Sequence, residues 1–253
     1  MNAVGVVAAL KLEARTLGSL VRRGDGPFTV RDGKSTVGEG TLVMVSGMGF
    51  AAAAVAARVL IDAGATALVS WGMAGGLDPA LRAGTICIPS VIVSRDGTAL
   101  ATDPRWRELV NAAINPPRTR DNAPCTVVNV KLLSDSKAIG DIAGKASAFR
   151  ATGAVAVDLE SLGVAQIATA YALPFIAVRA IVDTASDTLS KAVFAASGAG
   201  EVQTGQVHIS RLMLGILQSP RELAALVRLA QQYRAARKAL MAVARSGALT
   251  RIA

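Results

Sequence analysis

Four acidic side chains follow apolar runs that read as β-strands: Glu13 after AVGVVAAL, Asp158 and Glu160 in AVAVDLES, and Asp183 at the end of FIAVRAIVD. A carboxylate accepts hydrogen bonds from sugar hydroxyls and, when protonated, gives its proton to a leaving group. Any one of the four taken alone reads as a helix N-cap or as half of a satisfied ion pair. Gathered at one end of a parallel sheet, they point to polyol recognition combined with general acid–base work. A second candidate is Ser46-Gly47-Met48-Gly49, a glycine turn between TLVMVSG and the Ala-rich AAAAVAARVLIDAG. Backbone N–H groups at the start of a helix offer an anion a place to bind.

Other chemistries are excluded by what the chain lacks. His208 is the only histidine among 253 residues, which removes sites that need two imidazoles and leaves a Ser-His-Asp triad without a nucleophile motif. It sits in VQTGQVHISRLMLGIL, read as helical, where a lone histidine is structural or exposed. Cys87 and Cys125 are far apart with no CxxC spacing, so neither a disulfide framework nor a thiolate metal site is expected. No metal is expected. A reducing, cytoplasmic setting follows from the cysteine usage, and no basic region precedes the first apolar run as in an export signal.

The net charge of +9 invites a nucleic-acid reading. The basic residues of the C-terminal segment carry no interleaved aromatics, however, and only 4% of the chain is aromatic, so nucleic acid is not expected as a partner. An anionic surface suits that segment better, which leaves peripheral contact with the inner membrane open. In RELAALVRLAQQYRAARKALMAVAR, Leu223, Leu226, Leu229, Ala230 and Tyr233 share a helical face. Arg234 and Arg237 rotate into that face, so docking on the domain or on a neighbouring subunit is at least an equal alternative.

The elements that must position these residues alternate. AVGVVAAL is a strand, LEARTLGSLVRR a helix, TLVMVSG a strand, and the helix after it stops at Gly64. TALVSWGMAGGL is a strand breaking into glycines, TICIPSVIV a long apolar run, and 101–124 an irregular insertion or lid. CTVVNVKLL, a helix over KAIGDIAGKASAFRATG, AVAVDLES, the helix ESLGVAQIATAYAL and PFIAVRAIVD complete the pattern. With 52% apolar residues, this predicts one α/β domain over residues 1–253, with a basic helical extension at 219–253. Its mostly parallel sheet is covered on both faces, and ligands are expected beyond the carboxyl ends of the strands.

VSGMG before an Ala-rich helix, SWGMAGGLDPALRAG, VDLES and VRAIVDTASD resemble the motifs of the nucleoside phosphorylase superfamily, in particular its methylthioadenosine/S-adenosylhomocysteine nucleosidase branch. The resemblance runs in order from about residue 4 to 190, and Asp135, Asp158 and Asp183, 23 and 25 residues apart, follow that branch without a gap. AGGLDPALRAG is most similar to hopanoid-associated nucleoside phosphorylases. The resemblance implies a three-layer αβα fold around a mostly parallel mixed sheet. It implies an enzyme that cleaves the N-glycosidic bond of a purine nucleoside, with no cofactor beyond phosphate as a co-substrate in the phosphorolytic case. A homodimer or higher homo-oligomer is expected.

Residue by residue, the resemblance makes Asp183 the general acid toward purine N7 and Glu160 the grip on the ribose 2′- and 3′-hydroxyls. Glu13 and Arg179 match the pair that, with Glu160, holds a nucleophilic water. Leu159 and Met73 pack on the sugar side, compatible with an apolar 5′-substituent, and Asp158 and Gly47 complete the substrate-binding set. Lys137 stands where the nucleosidases stack an aromatic ring, and Val182 replaces a serine beside the acid. The backbone of Lys137, Ala138 and Ile139 remains to read the base edge.

The nucleophile divides the family. Related bacterial phosphorylases carry an Arg and a Ser in the loop matching SWGMAGG, and another Arg where Glu13 stands; here the loop has Ser70 and Met73. A carboxylate beside phosphate is repelled by about 4 kcal/mol for unit charges about 4 Å apart at an effective dielectric near 20. Hydrolysis is therefore favoured, although Arg179 and the Ser46–Gly49 amides keep an anion site open. The substrate expected is adenosylhopane, releasing adenine. The alternatives are salvage of a small nucleoside such as methylthioadenosine, or a catalytically silent nucleoside-binding protein.

Overall fold

The computed structural model describes residues 3–22, 26–30, 40–115, 126–188 and 220–250. Its centre is a parallel set of strands in which β1 (Ala3–Ala8) lies between β4 (Thr41–Val45) and β5 (Ala65–Gly76), and β5 also pairs in parallel with β12 (Phe175–Asp183). Side chains alternate along these strands, and each face has its own core. Val4, Val6, Val69, Trp71, Val178 and Ala180 point to one side. Val7, Leu68, Ala177 and Ile181 point to the other.

Helices cover both faces, giving the expected three-layer αβα fold. On the second face lie α2 (Phe50–Asp62) and α5 (Ser161–Ala170). Helix α2 buries Ala53, Ala56, Ala57 and Leu60, a spacing of three and four residues that aligns one narrow stripe. Small side chains let α5 approach so closely that a Cβ on Gly163 would sit 2.0 Å from the Phe50 carbonyl. The first face is covered by α3 (Pro104–Ile114) and the long C-terminal helix α6 (Pro220–Arg245), whose Ala236, Leu240 and Val243 are wholly buried against β12.

The sheet is mixed beyond its centre. β2 (Leu20–Arg22), β3 (Phe28–Val30) and β4 form an antiparallel edge. On the far side, β11 (Ala154–Asp158) meets the end of β5 antiparallel and runs parallel with β10 (Lys131–Ser134), which pairs with β7 (Val91–Val93). β8 (Ala99–Ala101) pairs with β7, while β6 (Ile86–Ile88) lies between β12 and β9 (Thr126–Val128). Helix α4 (Ile142–Thr152) connects β10 to β11.

Several elements differ from their sequence reading. LEARTLGSLVRR is not one helix: α1 (Lys11–Ala14) passes into a single 3₁₀ turn at Arg15–Leu17, Gly18 breaks it at φ +130°, and β2 follows. The stretch from 101 contains β8 and then α3, started by Asp103, whose carboxylate accepts from Trp106 N at 2.8 Å, and by Pro104. TICIPSVIV is two strands separated at Pro89, and CTVVNVKLL is two separated at Asn129, whose φ is +59°. β5 does not break at its glycines but runs through them to Gly76. On α6, Arg234 and Arg237 are exposed, because the buried stripe is carried by Ala236, Ala239, Leu240, Val243 and Ala244. His208 and Cys125 lie outside the described residues.

Candidate active site

The chain turns sharply after β1, and Glu13 on α1 is held at both oxygens. Leu10 N donates to Oε2 at 3.0 Å, and Met73 N, on β5, donates to Oε1 at 2.8 Å. Thr16 Oγ1 accepts from the indole N–H of buried Trp71, which ties α1 to the same strand. β11 ends at Asp158, and α5 begins three residues later at Ser161. Glu160 between them accepts a hydrogen bond from Gly49 N at 3.1 Å. β12 ends at Asp183.

Arg179, the fifth residue of β12, is 1% exposed and sits among these carboxylates. Its Nε lies 2.7 Å from Asp158 Oδ2, and Nη2 donates to Ser70 Oγ at 2.6 Å and to Ser161 Oγ at 3.2 Å, with Glu160 Oε2 at 3.8 Å. Nη1 is buried and has no hydrogen-bond partner among the described residues. It faces Glu13 across β5: a Cβ on Gly72 would fall 2.5 Å from both Nη1 and Glu13 Oε1. Glycine at this point of the strand is what lets the two side chains approach each other.

Three carboxylates around one guanidinium leave an excess of negative charge in a largely buried region. Burial pushes the Glu160 carboxyl up to about 7, with Arg179 opposing the rise and Asp158 and Glu13 adding to it. Burial raises Glu13 as well, against the pull of Arg179 and of its two backbone donors. Burial alone would lower Arg179, but Asp158, Glu160 and Glu13 together raise it. The cluster thus retains a proton near neutrality, with its positive charge locked on Arg179.

A cavity of about 170 Å³ opens above the cluster. Glu13, Asp158, Glu160 and Asp183 line it, together with Met73, Leu159, Ala138 and, from the glycine turn, Met48. Most of the residues singled out from the sequence therefore meet at one wall. Arg179 lies behind that wall. Lys137 is exposed and not part of the lining, while its neighbours Ala138 and Ile139 are; Gly47, at φ +81°, shapes the turn that presents Met48. Asp158 spends both oxygens inside the protein, on Arg179 and on Ser161 N and Oγ.

The glycine turn does not offer the open row of amides expected of an anion site. Ser46 N donates to the Ala8 carbonyl, Gly47 N to the Ala9 carbonyl, and Gly49 N to Glu160.

Sequence reasoning passed over two features. Ser70, noted there only as a departure in the glycine loop, and Ser161 orient Arg179 from β5 and α5, 3.1 Å from one another. Lys145, on α4, is wholly buried and pairs with Asp183. Its one signal in the sequence is its position on the same helical stripe as buried Ala148. Burial pushes the Asp183 carboxyl above the usual range, while Lys145 pulls it back. No cluster of metal-ligating side chains occurs among the described residues.

The fold has counterparts among known proteins. A curated 5′-methylthioadenosine/S-adenosylhomocysteine nucleosidase of Baumannia cicadellinicola subsp. Homalodisca coagulata is 27% identical over 198 residues, covering 72% of this chain and 82% of its own. The crystal structure of the Neisseria meningitidis nucleosidase of the same name, in complex with methylthio-immucillin-A, superposes with a TM-score of 0.64 at 20% identity, over 97% of this chain and 100% of that one. A futalosine hydrolase mutant from Helicobacter pylori gives 0.61 at 16% identity, over 90% and 99%. These likenesses bear out the three-layer fold. The family model described as the Phosphorylase superfamily matches residues 3–212, spanning every residue of the carboxylate cluster, and the chain belongs to that superfamily.

Proposed function

We propose that the chain cleaves the N-glycosidic bond of a purine nucleoside by hydrolysis. Asp183 donates a proton to the departing base, Glu160 holds the ribose hydroxyls, and Glu13 acts as base toward a water. The observation that carries this reading is the pair formed by Arg179 Nη1 and Glu13 Oε1. They face each other over Gly72 without forming an ion pair, an unpartnered donor beside an acceptor, which together can hold a water. As the anomeric carbon becomes cationic, the carboxylates around it stabilise the developing charge, and Glu13 takes the proton of the attacking water.

Phosphate is disfavoured in the same place. The Nε and Nη2 of the guanidinium are engaged by Asp158, Ser70 and Ser161, three carboxylates stand nearby, and the Ser46, Gly47 and Gly49 amides are engaged. A phosphate dianion would meet repulsion without the donors that normally offset it.

The substrate is an adenosine with an apolar 5′-substituent, supported by Met48, Met73, Leu10 and Leu159 on the wall. A cavity below the roughly 300 Å³ of typical ligand sites takes the base and sugar and leaves a large 5′-group outside. The likeness of AGGLDPALRAG to hopanoid-associated enzymes extends this to adenosylhopane, and the exposed Arg234, Arg237, Lys238 and Arg245 of α6 support contact with an anionic membrane surface. A small 5′-alkylthio nucleoside is the second reading, favoured by the nucleosidase relatives. Exposed Leu12, Phe50 and Val55 on α1 and α2 support a homo-oligomer.

The test is adenine release from methylthioadenosine and from a long-chain 5′-alkyl adenosine, with and without phosphate. Release in phosphate-free buffer with a free reducing sugar is expected. Strict phosphate dependence with a 1-phosphate product would overturn hydrolysis, and no release from any nucleoside would overturn the enzymatic reading.

A further inference from the structure

Lys145 stands where neither helix nor solvent accounts for it. It lies in the first turn of α4, four residues after the N-cap Asp141, where the positive end of the helix dipole opposes a cation. It is also 0% exposed, and a lysine is almost never so placed without a partner. All three Nζ donors are used: Asp183 Oδ2 at 2.5 Å, the Thr184 carbonyl at 2.7 Å and the Asp187 carbonyl at 3.0 Å. The turn it grips is closed by Asp187 on Thr184 N and Oγ1, and is tied to α6 through Gln232 and Arg228. Asp187 and Arg228 are thus the charged groups on one side of the pair. Glu13, Asp158 and Glu160 line the cavity on the other.

We propose that Lys145 is a positioning residue for Asp183, donating to Oδ2 so that the transferable proton is confined to Oδ1, and stabilising the carboxylate left when that proton departs. The proposal rests on the glycosidic cleavage argued above. In that step the Asp183 Oδ1–H bond breaks as an N–H bond forms on the purine, and the electron pair of the glycosidic bond goes to the base. Water adds its oxygen to the anomeric carbon, Glu13 receives the water proton, and exchange with solvent restores both carboxyl groups. Burial raises the Asp183 carboxyl, which favours its protonated form, and Lys145 opposes that rise, which favours release of the proton.

Lys145→Met keeps the length of the side chain and removes its charge. The expected result is a kcat about 10²-fold lower with KM within about threefold of the parent. The alkaline limb of the kcat–pH profile should move up by about one unit or more, since a neighbouring cation lowers a carboxyl by about that amount. An unmoved limb, with the loss shared between kcat and KM, means a packing role and overturns the proposal. Should the variant not fold, the wild-type protein labelled with ¹⁵N-lysine is titrated instead. The buried, slowly exchanging Nζ signal is expected to shift at the midpoint of the alkaline limb, and to be flat in Asp183→Asn. A signal blind to that titration overturns the coupling. A wild-type chain that releases no purine would defeat the proposed function, while the Nζ titration would still decide whether Lys145 and Asp183 are coupled.

Discussion

In the proposed reaction two demands compete at Glu160: a carboxylate must be ionised to accept from two ribose hydroxyls, yet burial beside Asp158 and Glu13 holds its carboxyl at about 7. Binding a ribose diol therefore favours loss of the proton the empty site retains. Glu160→Gln is expected to lower kcat/KM on ribosides far more than on the matching 2′-deoxyribosides, which lack one of the hydroxyls; steady-state kinetics on the pair checks it, and equal losses would free Glu160 of that role. In the proposed reaction Asp183 acts at the other end of the bond. Asp183→Asn keeps the shape but has no acidic proton, so turnover should drop by about 10² or more with substrate binding largely kept. Turnover like that of the parent would remove Asp183 from the mechanism.

The elements meet under tight steric control, and the glycines of β5 are where that control is exercised. Gly72 lets Arg179 and Glu13 approach over the strand, and at Gly75 a Cβ would stand 3.2 Å from Asp183 Oδ2. Gly72→Ala would collide with both charged side chains at 2.5 Å. Since a displacement of about 1 Å can cost about 10²-fold in rate, a loss of that order is expected in kcat/KM. Activity equal to the parent would mean the Arg179–Glu13 arrangement is not needed. Helix α6 is equally part of the core. Leu240 is 0% exposed beside Val178 and Ala180, so Leu240→Ala should destabilise the fold by about 2–5 kcal/mol in urea unfolding. A loss under about 0.5 kcal/mol, the range of surface changes, would mean the helix is peripheral.

For the whole molecule, the buried cluster ties stability to pH. Glu160 rises from 4.5 to about 7 on folding, so between those values the folded state keeps a proton that the unfolded chain gives up. Stability must then fall as pH rises through this window, by at most about 3 kcal/mol. Glu13, also raised, acts in the same direction, whereas Asp187 is lowered by its Thr184, Gln232 and Arg228 partners against the opposing effect of burial, and adds stability that is lost in acid. Denaturant midpoints measured from pH 5 to 8 should decline and flatten in Glu160→Gln. A profile indifferent to that substitution would place the proton elsewhere. No helix among the described residues is long and apolar enough to cross a membrane.

Local signals in the chain determined most of the elements and brought the carboxylates to one end of the sheet. A strand such as AVGVVA or FIAVRAIVD declares itself by continuous apolar residues, and its last residue names the side chain at the sheet's edge. Asp103-Pro104 was equally legible as a helix start, but the arginines and prolines around it obscured the apolar period of Trp106, Val110 and Ile114. Other features were decided only in three dimensions. That β5 runs on through its glycines depends on pairing with β12 and β11, since isolated glycines carry no strand signal. That Lys145 is buried depends on Asp183, 38 residues away, being there to receive it. That Arg179 commits its Nε and Nη2 to Asp158 and two serines depends on three elements converging. Hydrophobic period and capping act within a few residues and can be read along the chain. The pairing of charges and the clearance above a glycine are set by distances across the fold, which no local pattern encodes.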